Sequence, residues 1–272
     1  MSDEGFRRTY VVQLLCEERP EIDKEALWER LRARAGNVDS TGDGLNFAFL
    51  DHVTEFADGA APAMAMIVVT EFDTEKDIRP DDLAQSWYWR KAGDTVARCR
   101  YQVGVIQMMA AGLPYKERLA LVHNTVMAVL DIVDVDAIDW LESQQYVDPE
   151  SYVRSKDSPD PDPLYPAVNV RFYNITGREP DEMMIDTVGL AALGEVDLQC
   201  HFKDLNPQDV ARMVGNSAYY VFDKGDVIKD NETIQGVGEG TRWRCRHEDA
   251  LLPPKRIVLD IDPGPPYAAG NR

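Results

Sequence analysis

Cysteine is scarce in this chain and shows no pairing pattern. Cys16, Cys99, Cys200 and Cys245 stand far apart in 272 residues, and the CxxC spacing typical of structural zinc sites is absent. Three of them lie in apolar, strand-like runs (VVQLLC, RCRYQVGVIQ, DLQCHF), which suits buried thiols in a reducing compartment better than disulfides. Positive charge is short as well: 29 Lys and Arg stand against 48 Asp and Glu, a formal charge of -19. That balance disfavours nucleic acid and anionic membranes as partners and leaves a basic protein partner open. Long apolar runs are missing, since none approaches the roughly 18 residues that cross a bilayer. The opening MSDEGFRR is charged and lacks the apolar core of a secretory signal, so the expected location is the cytoplasm. A GxSxG nucleophile elbow and an internal repeat are likewise absent.

What is present reads as an ordinary folded protein: 44% hydrophobic and 28% charged residues, enough for one large or two medium domains. From Thr9 the run YVVQLLC predicts a strand. Asp23 then caps a helix with Leu27 and Leu31 on one face and Gly36 at its end. After a turn at residues 40–44 come strands LNFAFLDH and MAMIVVTEF, a short helix from Pro80 to Tyr88, and a strand around ARCRYQVGVIQMM. The order strand, helix, strand, strand, helix, strand predicts a ferredoxin-like α/β sandwich for residues 1–147. A long helix follows in YKERLALVHNTVMAVLDIV, expected to stop near Asp134, with His123 beside its apolar stripe and read as a packing residue.

Residues 148–166, DPESYVRSKDSPDPDPLYP, are acidic and proline-rich and predict an exposed linker. Asp157, Asp160 and Asp162 within it lack the calcium-loop pattern. Residues 167–272 should then form a second α+β half, so that the whole chain is α+β with two mixed or antiparallel sheets and a few packed helices. Its densest stretch runs from Met183 to Val214. There Val196, Leu198, Cys200 and Phe202 alternate with Asp197, Gln199, His201 and Lys203, placing polar groups on one face of a strand. Asn206 and Pro207 then open a helix that Gly215 is expected to close, followed by a meander with strands at AYYVF, VI and ETIQGV.

Two chemistries are weighed on these residues. Cys200, His201, Cys245 and His247 are of the types zinc takes, but adjacent strand residues point to opposite faces, so at most three converge. The expectation is no metal and no cofactor. A hydrolase-like enzyme would draw on Asp186, Thr187, His201 and Glu248 as an acid/base set. Ser217 lacks a nucleophile's setting and is explained by packing. Gly236, Gly238 and Gly240 precede a strand, not the helix that a phosphate loop needs.

The segments VNVRFYNITG, MMIDTVGLAALGEVDLQCHF, ETIQGV and WRCRHEDALLPPKRIVLDIDPG together resemble an uncharacterised bacterial family, domain of unknown function 4261, whose named region covers mainly the C-terminal part. AIDWLESQQYVDPESYV is similar to the N-terminal region of its longer members. At GEVDLQ, Glu195 and Val196 stand where relatives have a Gly-(Leu or Ile)-Pro-Asp turn. The resemblance implies no catalytic residue, cofactor or substrate. The functional expectation is therefore a cytoplasmic, non-enzymatic binding protein, in its concrete form an acidic inhibitor or immunity-like protein that covers a basic partner. The competing expectation is the enzyme built on Asp186, Thr187 and His201.

Overall fold

The computed structural model describes residues 5–177 and 181–270. The first four residues of MSDEGFRR and the last two of the tail PGPPYAAGNR lie outside the described residues. Two compact units emerge, one of Arg7–Ala167 and one of Val168–Arg272 that takes in the described residues up to Phe6.

The Arg7–Ala167 unit contains β1 (Tyr10–Cys16), α1 (Lys24–Ala35), β2 (Val38–Ser40), β3 (Asn46–Phe56), β4 (Gly59–Glu71), α2 (Pro80–Ala84), α3 (Ala92–Val96), β5 (Tyr101–Met108), α4 (Tyr115–Leu130), β6 (Ala137–Trp140), β7 (Gln145–Val147) and α5 (Pro149–Lys156). Its seven strands form one sheet in the order β2-β3-β4-β5-β1-β6-β7, with every pairing antiparallel. Asp23 caps α1 by accepting from the Ala26 amide at 2.7 Å, and Gly36 ends it at φ 80°, both as expected. Helix α4 is buried nearly all round, the signature of a helix enclosed between layers. It stops at Leu130, slightly earlier than expected.

The ferredoxin-like expectation fails in the strand order. That arrangement sets the first strand between the third and fourth of the motif, whereas here β5 lies between β4 and β1. The physical cause is β2, a three-residue strand just ahead of the expected turn at residues 40–44, where the sequence predicts no strand. It pairs with β3 through Val38 and Phe49 and adds one chain reversal after α1, so β3 runs opposite to the direction the motif requires.

The acidic linker is a correction as well. Asp148 accepts from the Ser151 amide at 3.1 Å and Pro149 takes the first turn of α5, a favoured helix start. Tyr152 and Leu164 are buried, and the Pro166 carbonyl accepts from Ser143 Oγ and Gln145 Nε2, both at 2.7 Å. Apolar anchors thus hold a segment whose composition suggested a free connector, and it belongs to the Arg7–Ala167 unit.

The second unit contains β8 (Asn169–Asn174), β9 (Met183–Val188), α6 (Leu190–Leu193), β10 (Asp197–Phe202), α7 (Pro207–Lys224), β11 (Thr233–Gln235), β12 (Arg242–Asp249) and β13 (Ile257–Asp262). The sheet order is β11-β12-β13-β10-β9-β8. It is mixed, because β10 and β13 are parallel. The α+β class with one antiparallel and one mixed sheet is therefore established.

Asn206 caps α7, accepting from the amides of Gln208 and Asp209 at 2.9 and 3.3 Å. Gly215 does not end this helix, and AYYVF is helical, not a strand. Val210, Val214, Ala218, Val221 and Phe222 are all buried on α7, a 3.6-residue stripe that carries the helix through Gly215. That stripe outweighs the roughly 1 kcal/mol penalty of an interior glycine. Termination falls to Gly225 at φ 78°, where a side chain would be strained. No helix among the described residues is long and apolar enough to cross a membrane.

Candidate functional site: a buried polar row

Strand register builds the site. Arg171 on β8 lies opposite Asp186 on β9, Asp186 opposite Gln199 on β10, Gln199 opposite Asp260 on β13, and Asp260 opposite Arg246 on β12. Register partners share a face, so one polar row crosses five strands. Arg171, Asp186, Gln199 and Asp260 are buried.

Each member of the row is tied. Asp186 Oδ1 accepts from Arg171 Nε at 2.9 Å, and Oδ2 from Arg171 Nη2 at 2.5 Å and Arg256 Nη2 at 2.8 Å. Arg256 also reaches Asp197 Oδ2 at 3.2 Å and the Thr187, Leu252 and Pro254 carbonyls. Asp197 takes the Thr187 hydroxyl at 2.9 Å and the amides of Gly189, Leu190 and Ala191 at 3.1–3.3 Å. Burial pushes the Asp197 carboxyl up, against Arg256, the amides and Thr187, which all favour its charged form. Burial also opposes the charge on Arg171, yet the Asp186 hydrogen bond and charge outweigh it and hold the guanidinium above its ordinary range. Gln199 Nε2 bridges Glu248 at 2.9 Å and Asp260 at 3.1 Å, while its Oε1 takes the Leu251 amide at 3.0 Å.

The sequence candidates therefore fall as follows. Asp186 and Thr187 meet in the Arg256 network. Glu248 joins through Gln199 and also accepts from Arg246 at 2.5 Å. His201, further along β10, pairs with Glu182 at 2.7 Å. The polar face of β10 is as the alternation indicated, and it is buried along the whole strand. Missed were Arg171, Arg256, Glu182 and Asp260. The legible signal was an arginine inside apolar strand alternation, as in VNVRFYN, which demands a buried counter-charge.

The metal candidates do not gather. Cys200 lies opposite Ile185 and Cys245 opposite Ile261; both are buried, and none of the four cysteines is in a disulfide. His247 sits between Asp230 at 2.8 Å and Asp226 at 3.0 Å. Burial opposes its charge, but the two carboxylates hold its pKa above the ordinary histidine value. Among the described residues no group of three or more His, Cys, Asp or Glu could hold a metal ion.

A separate groove of about 780 Å³ opens between α7 and residues 228–242, lined by Met213, Tyr220, Ile228 and Ile234 together with Arg212 and Arg242. That volume falls inside the roughly 300–1,000 Å³ of small-molecule sites. Ser217 borders it, its hydroxyl donating to the Met213 carbonyl at 2.9 Å. Gly236 has a packing role there: a Cβ would come within 2.4 Å of the Trp243 ring.

In the other unit, Asp139 on β6 is fully buried. Its Oδ1 accepts from Arg79 at 2.5 Å, and its Oδ2 has no hydrogen-bond partner among the described residues. Burial pushes this carboxyl up to about 7, against the pull of Arg79. The folded chain then holds a proton that the unfolded chain releases, so stability falls as pH rises from about 4 to 7. Above that window the contribution is level. Urea titrations should show the stability of Asp139→Asn relative to the natural chain rising through this range and then flattening. A flat or falling difference would exclude the assignment.

Residues 186–262 match the model of the family described as Domain of unknown function (DUF4261). The matched segment holds Asp186, Thr187, Asp197, Gln199, Arg256 and Asp260, and thus most of the row. The family resemblance read from the sequence is shown for this segment. No curated protein and no solved structure matches the chain.

Proposed function

We propose that the chain is a cytoplasmic, non-enzymatic binding protein whose acidic surface covers a basic protein partner, in the manner of an inhibitor or immunity-like protein. The observation that carries the reading is the pairing of Asp186: Oδ1 is held by Arg171, and Oδ2 by Arg171 and Arg256, in a buried network. A buried carboxylate paired on both oxygens with arginines is engaged in holding strands together and is not presented to a substrate. Six carboxylates are buried among the described residues, Asp82, Asp139, Glu182, Asp186, Asp197 and Asp260. Against 48 in the chain, most of the acidic excess is left to the surface, where it steers cationic partners.

The test uses the whole chain against a panel of small basic proteins in titration calorimetry. A saturable complex that weakens by about tenfold or more from low to high salt is expected. Hydrolytic turnover by the natural chain, lost in both His201→Asn and Glu248→Gln while circular dichroism is unchanged, would overturn the reading in favour of the enzyme. So would a chain that binds no basic protein at low salt.

A further inference from the structure

The Arg7–Ala167 unit holds a second titratable cluster that is independent of the polar row. Lys156, in the last turn of α5, is partly buried. Its Nζ donates to the Asp162 carbonyl at 2.6 Å and lies 3.3 Å from His123 Nε2, and it stands over the Tyr152 ring, 5.6 Å from the centroid. His123 Nδ1 meets the Tyr152 hydroxyl at 2.9 Å, and Nε2 lies 3.1 Å from the Pro163 carbonyl. The amine is thus surrounded by a carbonyl, a buried imidazole and an aromatic face, with no ion-pair partner among the described residues. Lys76 and Lys224, by contrast, are exposed and paired with Asp73 and Asp223.

We propose that Lys156 is a nucleophilic amine and the preferred acylation site of this chain, accepting acyl groups from acyl phosphates or thioesters. The neutral amine attacks the acyl carbon and a nitrogen–carbon bond forms. The carbon–oxygen bond of the acyl phosphate, or the carbon–sulfur bond of the thioester, breaks. Phosphate or thiolate leaves with the electron pair, and the nitrogen releases a proton to solvent. The product amide keeps one N–H for the Asp162 carbonyl and loses the charge.

Supporting physics comes from the surroundings. Burial, offset in part by Asp162, lowers the Lys156 amine to about 8. Burial and then the Lys156 charge hold His123 down to about 3, so the imidazole stays neutral and adds no second positive charge beside the amine. Lys76 and Lys224 are held above the ordinary lysine value by their carboxylates. A desolvated lysine without a carboxylate partner is the usual form of an activated amine.

The experiment follows acylation of each lysine in the native full chain by peptide mass spectrometry near neutral pH, in one arm with acetyl phosphate and in the other with acetyl-coenzyme A. Lys156 should react about tenfold faster than Lys76 and Lys224 in at least one arm, and the arm that shows it identifies the donor. Its rate should level off above about pH 8 while the reference lysines continue to accelerate. The lead should vanish in denaturing urea, where the surroundings are lost. Equal rates in both arms, or a lead that survives unfolding, would overturn the proposal.

Discussion

Replacing Arg256 by methionine should destabilise the Val168–Arg272 unit by about 3–5 kcal/mol, the cost of leaving a buried charge without its partner. Arg256 is 1% exposed and holds Asp186 and Asp197 together with the carbonyls of Thr187, Leu252 and Pro254. Methionine fills much of the volume but offers no donor, so the Asp197 carboxylate loses its charge partner in an apolar setting. The check is urea unfolding combined with hydrogen exchange across β9 and β10, whose amides should lose protection first. Adding Asp197→Asn to the methionine variant should recover at least about 1 kcal/mol, because a neutral amide needs no counter-charge. A single-variant loss below about 1 kcal/mol would show that water already reaches the network, and the row would then be open to substrate after all. The intact row need not add much net stability, since desolvation of the ions offsets most of their attraction. Its effect is on register: a one-residue slip of β10 would turn Asp197, Gln199 and His201 into the apolar side of the sheet.

Truncating Trp140 to alanine should cost the Arg7–Ala167 unit a similar amount, about 3–5 kcal/mol, as for other buried aromatic deletions. Trp140 is fully buried and its indole N–H donates to the Tyr10 hydroxyl at 2.8 Å. Its ring packs edge-on to Tyr10 at 6.3 Å and lies 5.1 Å from His123 and 5.9 Å from Tyr152. The deletion therefore removes both volume and a donor from one cluster that joins β1, α4, β6 and α5. Trp140→Phe keeps most of the ring and should lose less than half as much. Equilibrium unfolding with near-ultraviolet circular dichroism as the probe would decide it, and a loss under about 1 kcal/mol for the alanine variant would mean that this cluster is not core. Because His123 and Tyr152 also frame Lys156, the same variant should erase the acylation preference of that lysine.

Local chemistry was legible without coordinates. Asp23 and Asn206 announced their helices because a cap is decided by the side chain and the two or three amides that follow it. The alternation through β10 correctly separated an apolar from a polar face, since side-chain direction in a strand depends on parity alone. Gly36 closed α1, yet Gly215 failed to close α7, because a buried stripe on the far side of that glycine outweighed a local preference. The acidic segment around Asp157 looked free by composition, while two apolar anchors, Tyr152 and Leu164, fixed it to a core.

Which strands pair, and therefore what the polar face meets, was decided only in three dimensions. Three residues from Val38 to Ser40 reversed the chain once more and replaced one sheet order by another. Arg171 and Arg256 stand 85 positions apart in sequence, and only the lateral ordering of β8, β9, β10 and β13 brings both onto Asp186. Caps and alternation are properties of neighbours along the chain, so the sequence by itself settled them. The neutralisation of a buried carboxylate depends on groups that folding delivers from afar, and that belonged to the tertiary structure.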